Sequence, residues 1–321
     1  MMKKNTLIIA LSVVATLCSC NKTTTPKTET PQTISKNIPQ PFISSIEYSN
    51  LVDKASREEV KKAMLKAGIT PLAVDTFFEN VNTFNQTVTD VGMVDKGFVI
   101  SNELAPEYDE AGIQMQWESK NPVFPGYNCR ITSFDMFADF FTVDTKKAIN
   151  NKKNLFLDEH ALDNCDKEIF SAKQREKFTI FYAQIPTVEG KEVTKHVEIV
   201  QKYWKDRGIT FLHNQDKTKA SLISVFFHSF FDAEDNHLFI GHIGVLVPSE
   251  NGKLIFIEKL SFQEPYQALK FNNRTELNDY LMNRYDVEWN QPTATPFIFE
   301  NNQLIEGYRP NANKKQTDNM Q

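Results

Sequence analysis

Apolar residues recur at helical spacing in the first half of the chain and form strand-like runs in the second half. Two early helices are predicted. The first covers residues 56–68, with Ser56 as the N-cap, Glu59 three residues later to complete a capping box, and Gly68 at its end. The second runs from Pro71 to Phe84, with its apolar residues on one face.

The middle of the chain predicts a buried helix that begins near Cys129. Apolar side chains follow this cysteine at helical spacing, namely Phe134, Phe137, Ala138 and Phe141. Residues 177–185 have the composition of a strand, and residues 191–208 form an amphipathic pattern that Gly208 ends. A strand between two helices is therefore expected here.

Strand-like patterns dominate the last part of the chain. Three runs cover residues 221–231, 237–247 and 253–262, and Asn251-Gly252 between the last two is a hairpin signal. A late helix over 273–286 and a final hairpin over 295–305 follow. Helices first and antiparallel strands afterwards predict an α+β fold.

The N-terminus has the pattern of a secretory signal peptide. Lys3 and Lys4 precede an apolar run over residues 7–17, which is about half the length that a bilayer span needs. Leu17-Cys18-Ser19-Cys20 resembles a bacterial lipobox. This resemblance implies cleavage after residue 19 and a lipid anchor (palmitate) on Cys20. The expected location is extracytoplasmic, on the cell membrane or the outer membrane.

The remaining chain divides by composition. Residues 20–44 are rich in Thr and Pro and predict a flexible stalk behind the lipidated cysteine. Residues 45–309 contain no low-complexity break and are expected to form a single globular α+β domain, for which a papain-like fold is one candidate. Residues 310–321 are polar and predict a disordered tail.

Composition excludes several classes of protein. Hydrophobic residues make up 40% of the chain and charged residues 24%, which is typical of a globular protein. The net charge of −5 comes without a basic stripe, so nucleic acid is excluded as a partner. The histidines lack metal-ligand spacing and the chain lacks a glycine-rich phosphate loop, so neither a metal nor a cofactor is predicted. Composition leaves the oligomeric state open.

Two cysteines remain for chemistry once Cys18 and Cys20 are set aside, namely Cys129 and Cys165. They either form one bridge or include a reactive thiol. A helix N-terminus favours the thiolate at Cys129, and Arg130 beside it adds to the effect if its side chain turns that way.

A histidine is the usual partner base of a reactive thiol, and His242 lies within a predicted strand. A third polar side chain then orients the ring, and the candidates are Glu258, Gln263 and Glu264. The hairpin register decides between two of them. A two-residue turn pairs His242 with Ser261 and leaves Gln263 on the same face as the histidine, whereas a five-residue loop brings Glu258 opposite His242.

The order of these residues resembles papain-like cysteine peptidases and bacterial cell-wall endopeptidases. Both place a cysteine at a helix start and a histidine on a later strand, and residues 241–245 (GHIGV) look like the histidine strand of the endopeptidases. Residues 127–130 (YNCR) replace the Asp-Cys-Ser-Gly of that family. The papain-type glutamine just before the cysteine is missing, and Gln114 and Gln116 lie farther upstream.

Three motifs together resemble an uncharacterised family of bacterial lipoproteins, DUF4300. They are residues 49–51 (SNL), 128–130 (NCR) and 262–267 (FQEPYQ). The resemblance implies a cell-envelope lipoprotein and supplies no activity.

Two hypotheses of function therefore stand. One is a papain-like thiol hydrolase that acts on peptide or amide bonds, such as those of cell-wall peptide. Cys129 is then the nucleophile, His242 is the base and later the acid, and Gln263 or Glu258 orients the ring. The other is a non-catalytic lipoprotein that binds a ligand or partner and keeps Cys129 buried and inert.

Overall fold

The computed structural model describes residues 41–147, 155–288 and 290–314. Described residues from Pro41 onward form a compact unit built around an antiparallel sheet with helices on both faces. The predicted signal peptide, Cys20 and the stalk up to residue 40 lie outside the described residues, as does the tail from residue 315. The described part contains no helix that is long and apolar enough to cross a membrane.

The helices have the following bounds: α1 (Lys54–Lys66), α2 (Pro71–Thr87), α3 (Glu110–Lys120), α4 (Cys129–Phe137), α5 (Phe156–Asn164), α6 (Ala172–Phe181), α7 (Val193–Asp206) and α8 (Arg274–Tyr285). The strands are β1 (Ile46–Ser49), β2 (Val99–Ser101), β3 (Phe141–Thr142), β4 (Ile185–Pro186), β5 (Thr210–Phe211), β6 (Ser221–Phe230), β7 (Asn236–Pro248), β8 (Leu254–Lys259), β9 (Tyr266–Phe271), β10 (Phe297–Glu300) and β11 (Gln303–Leu304).

The main sheet has the strand order β11-β10-β6-β7-β8-β9-β1-β2, and β4 adds to the free part of β7. Alternate residues of the central strands face two separate apolar cores. Helices α1 to α7 supply the larger core, which receives Ile243, Val245 and Ile257 from the sheet. Helix α8 covers the opposite face, where Leu246 and Phe256 point. The predicted α+β fold is confirmed.

Most predicted elements are present, and two local assignments were wrong. Helix α1 begins earlier than expected, because Asp53 accepts hydrogen bonds from the backbone N–H groups of Ala55 and Ser56 and is the true N-cap. Residues 177–181, predicted as part of a strand, belong to helix α6. Its apolar residues are buried all round, and such a run has no period that separates a buried helix from a strand.

The ends of the folded unit also differ from the expected boundaries. The backbone N–H of Ile43 donates to Asp279, so the domain begins within the predicted stalk. At the other end, the backbone N–H of Asn311 donates to Asp286, and Lys314 forms an ion pair with the same carboxylate at 2.8 Å. Residues 310–314 are therefore bound to the domain, in contrast to the predicted disordered tail.

An opening between two strands of the sheet positions the site. Strands β7 and β8 pair only from Val245–Ile257 to Pro248–Leu254, so they separate beyond this point. The carbonyl oxygen of Ile243, past the last pair, accepts instead from the Ser133 hydroxyl of helix α4 at 3.2 Å. The helix therefore occupies the opening between the two strands.

Candidate functional site

Cys129 is the first residue of helix α4, and its neighbours fix that helix start. The side-chain oxygen of Asn128 accepts from the backbone N–H of Ile131 at 3.0 Å, which is an N-cap hydrogen bond. Asn128 also donates through its amide to Asp158 of helix α5 at 2.8 Å. Asn128 thus caps the start of α4 and links it to α5.

Arg130, on the other side of Cys129, binds the same carboxylate. Its guanidinium donates to both oxygens of Asp158, at 3.0 and 2.6 Å, and Asp158 is fully buried. Arg130 lowers the pKa of Cys129 while Asp158 raises it. The predicted effect of Arg130 on the thiol is therefore opposed by the carboxylate that Arg130 binds.

A β-bulge turns His242 towards the opening in the sheet. Val225 of β6 pairs with His242 while Phe226 pairs with Ile240, so Gly241 is the extra residue of the bulge. A Cβ atom on Gly241 would lie 2.3 Å from a ring carbon of Phe227. Only glycine fits at this position, and the bulge that it permits re-aims the next side chain.

Glu258 is the residue that orients the histidine ring. The loop between β7 and β8 spans residues 249–253, and its register places Glu258 opposite Gly244, diagonal to His242 on the same face. Its Oε2 lies 2.5 Å from His242 Nε2. The loop has five residues, as in one of the two predicted alternatives. The strand register differs from both predictions, since Glu258 lies opposite Gly244 and not opposite His242.

Glu258 is itself held by two donors on the α8 side of the sheet. The Tyr280 hydroxyl and the Gln267 amide both donate to its Oε1, at 2.6 and 2.7 Å. Gln267 in turn accepts from the Tyr108 hydroxyl, to which Asn50 donates. This network fixes the orientation of the Glu258 carboxylate, and a fixed carboxylate can hold the histidine ring in one orientation.

His242 and the thiol of Cys129 influence each other's pKa, and Nδ1 is the ring nitrogen that Glu258 does not hold. Burial raises the pKa of Cys129, but a hydrogen bond from His242 and its positive charge outweigh this effect, so the pKa of the thiol is lowered from 9.0. Burial lowers the pKa of His242, whereas the bonds to Cys129 and Glu258 raise it to about 9. These directions indicate a thiolate–imidazolium pair supported by a carboxylate.

The cluster is enclosed. Cys129 is 5% exposed and His242 is 1% exposed. The ring of Tyr285 from the end of α8 stacks on His242 with centroids 4.9 Å apart. The histidine is therefore packed on one side and hydrogen-bonded at its edges.

A cavity of about 660 Å³ lies next to the cluster, on the α1–α7 side of the sheet. Its wall includes Tyr127, two residues before the thiol, and Lys259, which follows Glu258. Cys129 does not line it. The remaining aromatic residues of the wall are Phe84, Trp117, Phe124, Phe262 and Tyr266.

Lys259 is a buried lysine in the wall of this cavity. Burial lowers its pKa to about 7, while the Glu264 and Cys129 charges raise it. Its ammonium group donates to the carbonyl oxygens of Ser261, at 2.5 Å, and of Glu264. The lysine thus holds the loop that follows β8, a role that the sequence did not reveal because its partners are backbone atoms.

The structure brings together Cys129, His242 and Glu258 and leaves Gln263 apart. Gln263 lies in the loop after β8, partly exposed, and the histidine nitrogen that it would bind is taken by Glu258. Glu264 forms an ion pair with Arg284 instead. The upstream glutamines do not reach the cysteine either, since Gln114 binds Glu118 and Gln116 binds the backbone of Thr89.

The second cysteine belongs to a different environment. Cys165 and Cys129 are both free thiols. Cys165 is partly buried at the end of α5 and donates to the carbonyl oxygens of Leu162 and Lys167, at 3.4 and 2.9 Å. Among the described residues, no group of three His, Cys, Asp or Glu side chains is placed to hold a metal ion.

Fold and site together define an α+β protein with a buried Cys–His–Glu cluster at a helix start. The chain belongs to a family described as Domain of unknown function (DUF4300), whose profile matches residues 47–305. No match was found among curated proteins or among solved structures. The motifs at residues 49–51, 128–130 and 262–267, far apart in sequence, all contribute side chains to the cluster and its hydrogen-bond network.

Proposed function

We propose that the protein is a lipid-anchored thiol hydrolase that cleaves peptide or amide bonds outside the cytoplasm. One observation carries the proposal: a buried carboxylate lies 2.5 Å from Nε2 of His242, and the thiol at the start of α4 is near enough to the same histidine for each group to shift the pKa of the other. A nucleophile, a base and an orienting group in this order are the requirements of thiol-based acyl transfer.

In the first half of the reaction, the thiolate of Cys129 attacks the carbonyl carbon of the scissile bond. A carbon–sulfur bond forms and the carbonyl oxygen takes the electron pair. The imidazolium of His242 then gives its Nδ1 proton to the leaving nitrogen. The carbon–nitrogen bond breaks, the amine departs, and the acyl group remains on sulfur as a thioester.

Water completes the cycle. Neutral His242 removes a proton from a water molecule, which attacks the thioester carbonyl. The carbon–sulfur bond breaks, the carboxylic acid leaves, and the thiolate–imidazolium pair is restored. Glu258 keeps Nδ1 directed at the sulfur throughout, because it holds the opposite nitrogen.

The helix start also supplies the donor for the developing oxyanion. Backbone N–H groups in the first turn of a helix have no partner within it. That of Ile131 is capped by Asn128, whereas that of Cys129 lies beside the reacting sulfur. The backbone N–H of Cys129 therefore donates to the oxyanion, a role that a glutamine side chain fills in papain-like peptidases.

The substrate reaches the thiol from the aromatic cavity. Tyr127, Lys259 and Tyr266 line the cavity, whereas Cys129 does not, and 5% of its surface is exposed. Attack thus requires a side-chain movement between the cavity and the thiol. Such gating excludes water from a thioester intermediate until the substrate is in place.

The anchoring part of the proposal rests on the sequence, since residue 20 lies outside the described residues. The lipobox predicts acylation of Cys20, and the folded unit begins about twenty residues later. Metabolic labelling with an alkyne-tagged palmitate tests this directly. The wild-type protein should carry the label and partition into detergent, and a Cys20→Ser variant should do neither.

Thiol labelling tests the catalytic part without any substrate. We expect iodoacetamide at pH 6 to modify Cys129 before Cys165, as followed by peptide mass spectrometry. A Cys129→Ala variant, in which only Cys165 reports, is the matched control. Slow and equal modification of both thiols would contradict the hydrolase.

The burial of the thiol favours one other candidate, a binding lipoprotein. Cys129 does not line the cavity, so the cluster also suits a purely structural role beneath a ligand site. In that case ligands occupy the cavity without turnover, and Cys129→Ala leaves their affinity and all other properties unchanged.

A further inference from the structure

The cavity is large enough to define a substrate class for the proposed hydrolase, on which this inference rests. Its volume of about 660 Å³ falls within the range of pockets that enclose small ligands. Its lining includes Tyr127, two residues before Cys129, and Lys259, which directly follows Glu258. A peptide segment held here therefore lies near the reacting thiol.

The walls of the cavity suit a cationic group with an apolar stem. Six aromatic side chains contribute to the lining, and Phe124 and Tyr127 meet edge to face with centroids 5.0 Å apart. Aromatic faces attract a cation that is removed from water. They also bury the methylene stem of a long basic side chain.

Acidic residues outnumber basic ones around the same cavity. The acids are Asp75, Glu79, Asp135, Asp139, Asp166 and Glu168, against Lys167 and Lys259. Two of these charges are already compensated, since Asp75 pairs with Lys61 and Glu79 with Lys167. The ammonium group of Lys259 is bound by backbone carbonyl oxygens.

Among the four acids of the lining that have no ion pair in the described residues, Asp135 is the one that is partly buried, since Asp139, Asp166 and Glu168 are exposed. Among the described residues it has no ion-pair or hydrogen-bond partner, although it is half-buried in the cavity wall. Burial raises its pKa to about 6, and no neighbouring cation opposes this effect. A half-buried carboxylate without a partner costs free energy that a bound cation recovers.

Its place on helix α4 sets the distance from the scissile bond. Asp135 follows Cys129 by six residues of the same helix, which corresponds to about 9 Å along the axis. An extended chain covers this distance in about three residues, and one long basic side chain covers much of it.

We propose that the cavity binds a peptide segment that carries an ammonium or guanidinium group within a few residues of the scissile bond. Asp135 pairs with this group and selects it, and the aromatic walls enclose its apolar stem. Asp135 is thus a specificity residue, separate from the residues that perform the chemistry.

Binding to the full-length Cys129→Ala protein tests the proposal without turnover. The probes are acetylated penta-alanine amides with one alanine at a time replaced by lysine, each paired with a twin that has norleucine instead. Calorimetric titration should show at one position a lysine peptide that binds at least tenfold tighter than its twin. Asp135→Asn should remove this preference and Asp135→Glu should keep it.

Asp163→Asn is the matched control, because Asp163 is an exposed carboxylate of helix α5 outside the cavity. It should leave the preference for lysine intact. Equal affinities of the lysine and norleucine twins at every position would overturn the proposal, and so would a preference that survives Asp135→Asn. A lysine preference together with an unreactive Cys129 would support the cavity's selectivity and overturn the hydrolase alone.

Discussion

Two buried histidine sites lie on the same sheet and differ in their partners. His242 of β7 sits between a thiol and a carboxylate. His228 of β6 packs against His196 of α7, with ring centroids 4.5 Å apart. His228 binds the Asn236 side chain and the backbone N–H of Ala294, so both of its nitrogens have neutral partners.

The comparison separates burial from chemistry. Burial lowers the pKa of both rings, and at His228 it prevails because an amide and a second histidine offer no compensating negative charge. At His242 the thiol and carboxylate reverse the outcome and raise the pKa to about 9. The more deeply buried ring, His242 at 1% exposure against 8% for His228, is thus the one whose charged form is favoured.

The largest expected difference is in stability. Glu258→Ala removes the acceptor of three hydrogen bonds and leaves a buried imidazolium. We expect it to lower the free energy of unfolding by about 3–5 kcal/mol. Asn236→Ala, the equivalent deletion at the neutral site, should cost about 1–3 kcal/mol. Urea unfolding followed by circular dichroism measures both.

An equal loss of unfolding free energy in Glu258→Ala and Asn236→Ala would contradict the difference between the two sites, because it would mean that His242 is neutral. Tyr280→Phe provides a graded control. It removes one donor to Glu258 and keeps the ring, so it should cost about 1 kcal/mol.

The second difference is in thiol reactivity. An ordinary thiol is about 0.3% ionised at pH 6, and the lowered pKa of Cys129 beside His242 increases this fraction. His242→Gln should therefore lower the rate of Cys129 alkylation at pH 6 by at least about tenfold. His228→Gln should leave it unchanged, and peptide mass spectrometry over a time course measures both rates.

A comparable loss in both variants would point to general loosening of the fold instead of loss of a base. The melting temperature and the alkylation of Cys165 reveal such loosening, since that thiol has no histidine partner in its hydrogen bonds. Only a loss confined to Cys129 in the His242 variant supports the ion pair.

Helix and strand patterns predicted the elements that carry the site, but they did not predict how these elements meet. The start of α4 and the three long strands follow from local apolar spacing. The choice of Glu258 over Gln263 depends on a five-residue loop whose length Pro248 obscured. The bulge at Gly241 depends on Phe227 of the neighbouring strand, which no local pattern reveals.

The residues that hold the cluster in place through hydrogen bonds were even harder to predict from the sequence. Asp158 lies in a stretch of charged residues that is typical of a solvated helix, yet it is fully buried against Arg130. Tyr280 reaches Glu258 from a helix on the far side of the sheet. Such contacts join segments more than twenty residues apart, and only tertiary structure specifies them.

The third difference concerns pH. His242 contributes stability that is complete below its ordinary pKa of 6.5 and is lost as pH rises through about 9. Cys129, with a pKa lowered from 9.0, contributes stability that is complete above 9.0 and is lost as pH falls. Between pH 6.5 and 9, the folded Cys129–His242 pair holds one proton, and the same two residues of the unfolded chain also hold one. The opposite pH dependences of the two residues therefore cancel, and the stability of the wild type does not change with pH through this pair.

Cys129→Ser removes this cancellation. The remaining histidine–glutamate pair still raises the pKa of His242, so the variant should lose stability as pH rises above 6.5, by up to about 1.4 kcal/mol per pH unit relative to the wild type. His228→Gln is the control, because the lowered pKa of His228 gives a contribution that is lost only as pH falls below its ordinary value of 6.5. Parallel stability curves for the wild type and Cys129→Ser would exclude the ion pair.

The smallest expected effect isolates the helix start from the histidine. Asn128→Ala removes the N-cap of α4 and the link to Asp158, and should cost about 1–2 kcal/mol of stability. A frayed first turn presents a weaker positive end to the thiolate, so alkylation of Cys129 at pH 6 should slow by about two- to fivefold. Asn128→Ser keeps a capping oxygen and should restore most of the rate. A drop as large as that of His242→Gln would mean that the cap positions the whole cluster, and the helix dipole would then not be the cause.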